Sequence, residues 1–490
     1  MIKQSIFVLI YLTLLINTNL IAQNQDSSNF CSVEKLKEDF RLLRHNMETI
    51  QTGLYTYTNK TKMDRAFDSL EMTIKQPLSS VEFYRKVILL NQFIKNGHTS
   101  IKPSVTYEKQ RNELFTLFPF EVYLDNDILY VLKNNSSNDD IQDGSIIKSI
   151  NGEDAVTLYK EFRAKLPRDG FNTTFPDKVL SSSFNDIYAN LRGDYEIYNI
   201  ELISLKGETL NIEVNGLTKQ NIKKNKWNKY QDDSKWWGET QEPVLNLRTD
   251  DNVAIMEIKV FSIYYAKRVK QNFKDFFNES FSQLIKEDIE HLVIDLRNNG
   301  GGDEKPTLEL LSHLNETPFV FYEDMYVKTN KTPNPKFYNQ SGFSINFLYP
   351  LFKLKKKGEV YGIKGIPGLK EFKPAKSVFK GDVYVLTNGF SFSATGEIAS
   401  HIKNINKALF VGEEVGGNTN QHVSGTSRLL TLPNSKIRVR IPIELFKLNV
   451  KSENTGHGVI PDYYVRPTIT DKLLDKDPEM EFVFKLIEDK

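Results

Sequence analysis

His291-Leu-Val-Ile-Asp-Leu-Arg-Asn-Asn-Gly-Gly-Gly302 is an apolar run that ends abruptly in a glycine turn. Leu292, Val293, Ile294 and Leu296 read as a buried strand. Pro306 then stands where a first helical turn tolerates it, and Leu308, Leu311 and Leu314 follow at helical spacing. The unit is strand, glycine turn, helix. Glycines let the backbone turn sharply and bring bare N–H groups up to a ligand, although a tight turn without chemistry has the same pattern. A phosphate cradle is excluded, because no Lys-Ser/Thr pair follows the glycines.

The same texture extends on both sides. Val253 to Val260 reads as a strand, Ala266 to Lys286 as a helix, and Val383 to Thr387 as a strand broken by Asn388-Gly389. A helix with Ile398, Ile402 and Ile405 on one face follows, then a strand at Leu409 to Val411. Alternation of this kind implies an α/β core with parallel strands. Upstream, apolar steps through Val33, Leu36, Phe40, Leu43 and Met47, and later through Phe83, Val87, Leu90 and Phe93, predict a bundle of about three helices. Asn96-Gly97 reads as a left-handed cap to the last of them, with the polar His98 just beyond. From about 118 to 215 the chain reads as β-rich, with hairpin signals at Asn126-Asp127 and Asn151-Gly152. Lys, Asn and Gln then mark a linker that docks through Trp227, Trp236 and Trp237. An aromatic insertion over 319–380, with Phe337, Tyr338, Phe343, Phe347, Tyr349 and Phe352, either lines a cleft or forms a satellite core.

Composition narrows the function classes. Across 490 residues, 64 Lys and Arg face 63 Asp and Glu, a net charge of +1 that gives no reason to expect a nucleic-acid partner. Met1-Ile-Lys3, the apolar run Ile6 to Ile16 and Leu20-Ile-Ala-Gln23 form a signal peptide, so the chain is expected to be exported, periplasmic or extracellular, without a lasting membrane span. The single cysteine, Cys31, allows no internal disulfide. There is no His-Glu-x-x-His, cysteine cluster or Walker motif, so neither metal nor cofactor is expected. The expected divisions are a signal peptide (1–22), a helical domain (23–113), a β-rich domain (114–215), a linker (216–250), the α/β core (251–470) and a C-terminal helix or tail (471–490).

Parallel strands put their following turns on one sheet edge. One turn offers backbone N–H groups at Asn299 to Gly302; the other carries Ser391-Phe-Ser393-Ala394 at a helix start. Donors facing a hydroxyl is the arrangement of acyl transfer, in which amides hold the developing oxyanion. A Ser there also makes a common helix N-cap, and these patterns alone do not choose.

Val293-Ile-Asp-Leu-Arg-Asn-Asn-Gly-Gly-Gly302, then Thr387-Asn-Gly-Phe-Ser-Phe-Ser-Ala394 with Glu397, then Val411-Gly-Glu-Glu414 and Gly458-Val-Ile-Pro-Asp462, resemble the tail-specific (C-terminal-processing) serine proteases from about Val253 to Thr468. The resemblance implies Ser393 as nucleophile, with oxyanion donors from Asn299, Gly300 or Gly301 and from Ala394. One extra residue separates Ala394 from Glu397 compared with the family pattern. Residues 118–205 resemble a divergent PDZ domain, which in the family captures extended peptides, often at their free C-termini. Many members pair the serine with a lysine beyond the Gly-Glu motif, but here Gly412-Glu-Glu-Val-Gly-Gly417 runs into Asn418. Asn accepts no proton, which argues against a Ser–Lys dyad; Gly97-His98-Thr-Ser100 is similar to the His segment of the tricorn-like branch, which uses His with a carboxylate. That implies His98 as general base and Glu453 as its orienting carboxylate, with His422 as the rival base. His401 lies eight residues beyond Ser393 on one helix, about 12 Å along its axis, and is out of reach. The expected activity is that of an exported serine endopeptidase. The alternative is a catalytically inactive peptide- or hydrophobic-ligand-binding protein on the same scaffold.

Overall fold

The computed structural model describes residues 30–231, 241–338, 354–453 and 455–490. The signal-peptide segment, Trp236, Trp237, Phe343, Phe347, Tyr349 and Phe352 lie outside them.

The chain begins with helices α1 (Val33–Ile50), α2 (Lys60–Met72) and α3 (Ser80–Val87), each started by a Ser or Asn side chain that accepts from the first turn. Leu36, Phe40, Leu43 and Met47 of α1 are buried as their spacing predicts. A short helix Asn91–Ile94 ends this unit, and its left-handed cap is Lys95, φ 49°, rather than Gly97. Gly97 is needed for another reason: a Cβ there would lie 2.7 Å from the Phe392 ring. Strand β1 (Ser100–Lys102) follows.

The next unit is an antiparallel sheet of β2 (Phe120–Asp125), β3 (Ile128–Asn134), β4 (Ile146–Ile150), β5 (Ile197–Ile203) and β6 (Thr209–Asn215), in that order. Both hairpin signals hold: Asn126, Asp127, Asn151 and Gly152 have positive φ, the backbone that tight primed turns demand. Two helices lie inside this stretch, α4 (Ala155–Lys165) and α5 (Thr174–Arg192). Their apolar steps, Leu180, Phe184, Ile187, Tyr188 and Leu191 in α5, are helical and buried; the surrounding strand signals masked them. The expected linker is also structured, containing α6 (Lys219–Tyr230) and β7 (Leu245–Asp250). Helix α6 docks through Tyr230, whose hydroxyl meets Asp143 at 2.9 Å, while Trp227 stays 49% exposed.

The core sheet runs β15 (Tyr463–Tyr464), β12 (Ala408–Gly412), β11 (Asp382–Thr387), β9 (His291–Asp295), β8 (Val253–Ile258), β7. Its neighbours are parallel except β7 with β8. Helices α7 (Phe273–Lys286), α8 (Glu304–Ser312) and α9 (Ala394–Asn404) connect these strands, the last two following the two turns of interest. The face with Val253, Ile255, Val293, Tyr384 and Leu386 is covered by Met480 and Val483 of the C-terminal helix α10 (Pro478–Glu488). A second antiparallel sheet contains β10 (Tyr322–Val327) and the long hairpin β13 (Gln421–Thr431) and β14 (Arg438–Leu448). Strand β1 joins it, with Ile101 opposite Val439, and so ties the helical domain to the core.

Candidate active site

The turns after β9 and β11 are stitched to each other. Asn298 N–H donates to Asn388 Oδ1 (3.1 Å) and Asn388 Nδ2 returns a bond to Asn298 Oδ1 (3.0 Å). Phe392 N–H donates to the Asn299 carbonyl (3.0 Å), and Thr395 Oγ1 to Asn299 Oδ1 (2.8 Å). Ser391 is fully buried and donates to the Leu296 carbonyl (2.8 Å), which makes it a brace between the two turns. The backbones touch at Gly301, φ 95°, where a Cβ would lie 2.8 Å from both Ala394 N and Ser393 Cβ.

Ser393 precedes α9 with φ 59° and ψ −127°, a conformation that costs a side-chain-bearing residue energy and persists only where the surroundings impose it. Its hydroxyl makes no capping bond, so the N-cap role is not used. Of the expected oxyanion donors, Asn299 N–H is committed to the Leu296 carbonyl (3.3 Å) and Gly301 N–H to Asn299 Oδ1 (3.0 Å). Gly300 and Ala394 N–H make no hydrogen bond among the described residues, and they sit on the two touching turns.

His98 reaches this site from the helical domain. Its ring stacks on Phe392, centroids 4.4 Å apart, and Phe392 stacks in turn on Phe175 at 4.3 Å. The ring is 8% exposed, and neither nitrogen has a hydrogen-bond partner among the described residues, so it does not bond Ser393 in this conformation. Burial first, then the charges of His422 and Arg440, hold its pKa well below the ordinary value; the imidazole is neutral. His422 also lies inside, with its ring edge 3.4 Å from where a Cβ of Gly396 would stand, and burial lowers it to about 4. His401 stacks on Phe321 away from the turns, as expected.

Glu453 does not bond His98, whose ring nitrogens have no partner among the described residues; it is exposed, on the stretch 451–453 that runs over the surface after β14. The missed residues come from the loop between α4 and α5 and from the first residue of α5. Asp169 Oδ1 accepts from Gly97 N–H (2.7 Å), Asn172 Nδ2 donates to the Val415 carbonyl (3.0 Å), and Thr174 Oγ1 to the Glu414 carbonyl (2.8 Å). Burial raises Asp169 to about 7. Only the cluster Asp169-Gly170, with its turn chemistry, signalled this loop in the sequence. Asn418, at the position of the family's dyad lysine, is buried and bonds the Tyr57 hydroxyl. The signature acids are clamps: Glu413 meets Arg466 (3.3 Å), Glu414 meets His457 (3.1 Å), and Asp462 accepts from Phe410 N–H (2.8 Å).

A strained serine at a helix start, with one uncommitted amide on its own turn and one on the touching turn, is an arrangement that acyl transfer can use. Residues 252–465 match the model of peptidase family S41, and the core is that of this family of serine-type peptidases. Among solved structures, mature CPAF is 14% identical with a TM-score of 0.58, covering 93% of this chain and 96% of that one. Mature CPAF complexed with lactacystin is 14% identical with a TM-score of 0.60, over 93% and 97%. At these identities the likeness is one of fold: N-terminal helices, antiparallel sheets and the parallel-sheet core are shared. No curated protein matches the chain in sequence. Among the described residues no helix is long and apolar enough to cross a membrane, and no group of three or more His, Cys, Asp or Glu could hold a metal ion.

Proposed function

We propose that the chain is an exported serine endopeptidase that cleaves protein substrates through an acyl-enzyme on Ser393. The observation that carries this is the contact at Gly301, which sets the uncapped Ser393 beside two uncommitted amides. Ser393 Oγ attacks the scissile carbonyl, the Gly300 and Ala394 N–H groups hold the oxyanion, and His98 Nε2 takes the serine proton and returns it to the leaving amine. For this the ring must turn off Phe392. Water then releases the acyl group by the same route. The antiparallel sheet of β2 to β6 with α4 and α5 is read as a PDZ-like module that captures peptides by strand addition, at their C-termini where these are free. Export rests on the apolar leader that ends near Ala22.

Ser393→Ala is expected to abolish cleavage of an unstructured peptide and labelling by a fluorophosphonate, with folding intact by circular dichroism. Full cleavage by that variant would sink the assignment. A binding protein on the same scaffold is the second reading, favoured by the absence of a His98 hydrogen bond to Ser393. It predicts no fluorophosphonate labelling of the wild-type chain.

A further inference from the structure

His98 as a base lacks a group to orient it, and buried polar atoms without partners are uncommon enough to need a reason. Three such atoms are grouped around Gly97 and Phe392: Nδ1 and Nε2 of His98 and Oδ2 of Asp169. The His98 ring lies on Phe392, and a Cβ on Gly97 would lie 2.7 Å from that same Phe392 ring and 3.5 Å from the Asp169 carboxyl carbon. Asp169 is 3% exposed and fixed in place. Its Oδ1 holds Gly97 N–H at 2.7 Å and Asn96 Nδ2 at 3.4 Å, the residues leading into His98. Gly170 N–H is bonded to the Lys95 carbonyl (3.0 Å) and Phe171 N–H to that of Gly456 (2.7 Å), so the loop cannot drift off. The other carboxylates considered are engaged or outside: Glu397 accepts from Tyr322 (2.6 Å), Glu414 from Gly458 N–H (2.9 Å), and Glu453 is exposed.

We propose that Asp169 is the positioning carboxylate of the His98 base: when the ring turns off Phe392, Nδ1–H donates to Asp169 Oδ2 and Nε2 faces Ser393 Oγ. This rests on the Ser393–His98 reading above. Burial raises the carboxylate to about 7, so it carries its charge above that pH; there it takes no proton from the ring, fixes the tautomer and faces the imidazolium formed when the serine proton moves to Nε2. Without such a charge a ring buried this deeply is a poor proton acceptor. The arrangement assembles one site from three units, the base from the helical domain, the nucleophile from the core and the carboxylate from the α4–α5 loop.

The test is a double-mutant cycle of Asp169→Asn and His98→Ala, read as the rate of Ser393 labelling by a fluorophosphonate and as kcat and KM on an unstructured peptide. Asparagine keeps the acceptor for Gly97 N–H but puts a donor where Oδ2 was. In the His98 background it should slow labelling and kcat by about 10³- to 10⁴-fold, with KM within about threefold. In the His98→Ala background it should cost nothing further. A D169N rate within about threefold of wild type, or an equal loss with and without His98, overturns the proposal, the second outcome marking a merely structural role. Should D169N not fold, Asp169→Ser is taken through the same cycle. Full labelling in His98→Ala overturns the base assignment itself and this proposal with it; loss in His98→Ala with an unaffected D169N overturns this proposal alone.

Discussion

A methyl group at Gly301 would stand 2.7 Å from the Phe392 carbonyl and 2.8 Å from Ala394 N, on a backbone with φ 95°, whereas one at Gly300 would meet nothing within 4 Å. The two neighbouring glycines therefore do different work. Gly301→Ala should push the turns apart, lowering kcat by about 10²- to 10³-fold, as loss of an oxyanion donor does. Strain of about 1–3 kcal/mol should accompany it in denaturant unfolding. Gly300→Ala leaves the backbone room and should fold normally; a G301A enzyme with wild-type kcat would show that the contact is not what aligns the donors. Before the structure, both positions read alike, since three consecutive glycines carry no sign of which N–H groups are already committed. Asn299 settles that, because its side chain captures Gly301 N–H and leaves Gly300 free.

Helix α9 buries a carboxylate one turn beyond Ser393. Glu397 is 3% exposed, accepts from the Tyr322 hydroxyl, and is raised by burial from 4.5 to about 7, with the nearby Glu304 charge adding to the shift. Because the folded value lies above the unfolded one, the native state binds more protons between them. The stability from neutral Glu397 is fully present below about 4.5 and is lost as pH rises through about 7. Glu397→Gln keeps an acceptor for Tyr322 and removes the titration. Its melting temperature relative to wild type should therefore rise on going from about pH 5 to about pH 8. A constant difference across that range would mean that Glu397 stays charged in the fold. Element identity at this scale was legible for α8, α9 and the strands before them, since an apolar run followed by a 3.6-residue period is local. The α5 helix was not, because its apolar steps sit among strand signals and its burial comes from β2 and α4 rather than from its own sequence.

At the scale of the molecule, three units meet at Phe392, and Asn172 holds one of them in place. Its Nδ2 donates to the Val415 carbonyl and its Oδ1 accepts from Phe175 N–H (2.9 Å), keeping Phe175 on Phe392. Asn172→Ala leaves a buried carbonyl and N–H unpaired, which should cost about 1–3 kcal/mol in unfolding. It should also lower kcat through the displaced loop. A folded N172A with unchanged kcat would mean that the loop positions nothing.

The sequence by itself determined the parallel core, the two glycine- and serine-bearing turns and their placement on one edge, because strand period, turn chemistry and helix spacing are properties of neighbouring residues. It also singled out His98, through its likeness to a family segment. Only the tertiary structure decided which amides remain uncommitted, that Ser391 is a brace, that the His98 ring packs against Phe392 beside Ser393, and that Asp169, not Glu453, lies beside its segment. Those outcomes rest on contacts between residues far apart in the chain, as when Asn96 donates to the Val423 carbonyl across 327 positions or approaches Asp169 across 73. No local pattern encodes such a pairing; burial and the need to satisfy buried polar groups select it once the whole chain is packed.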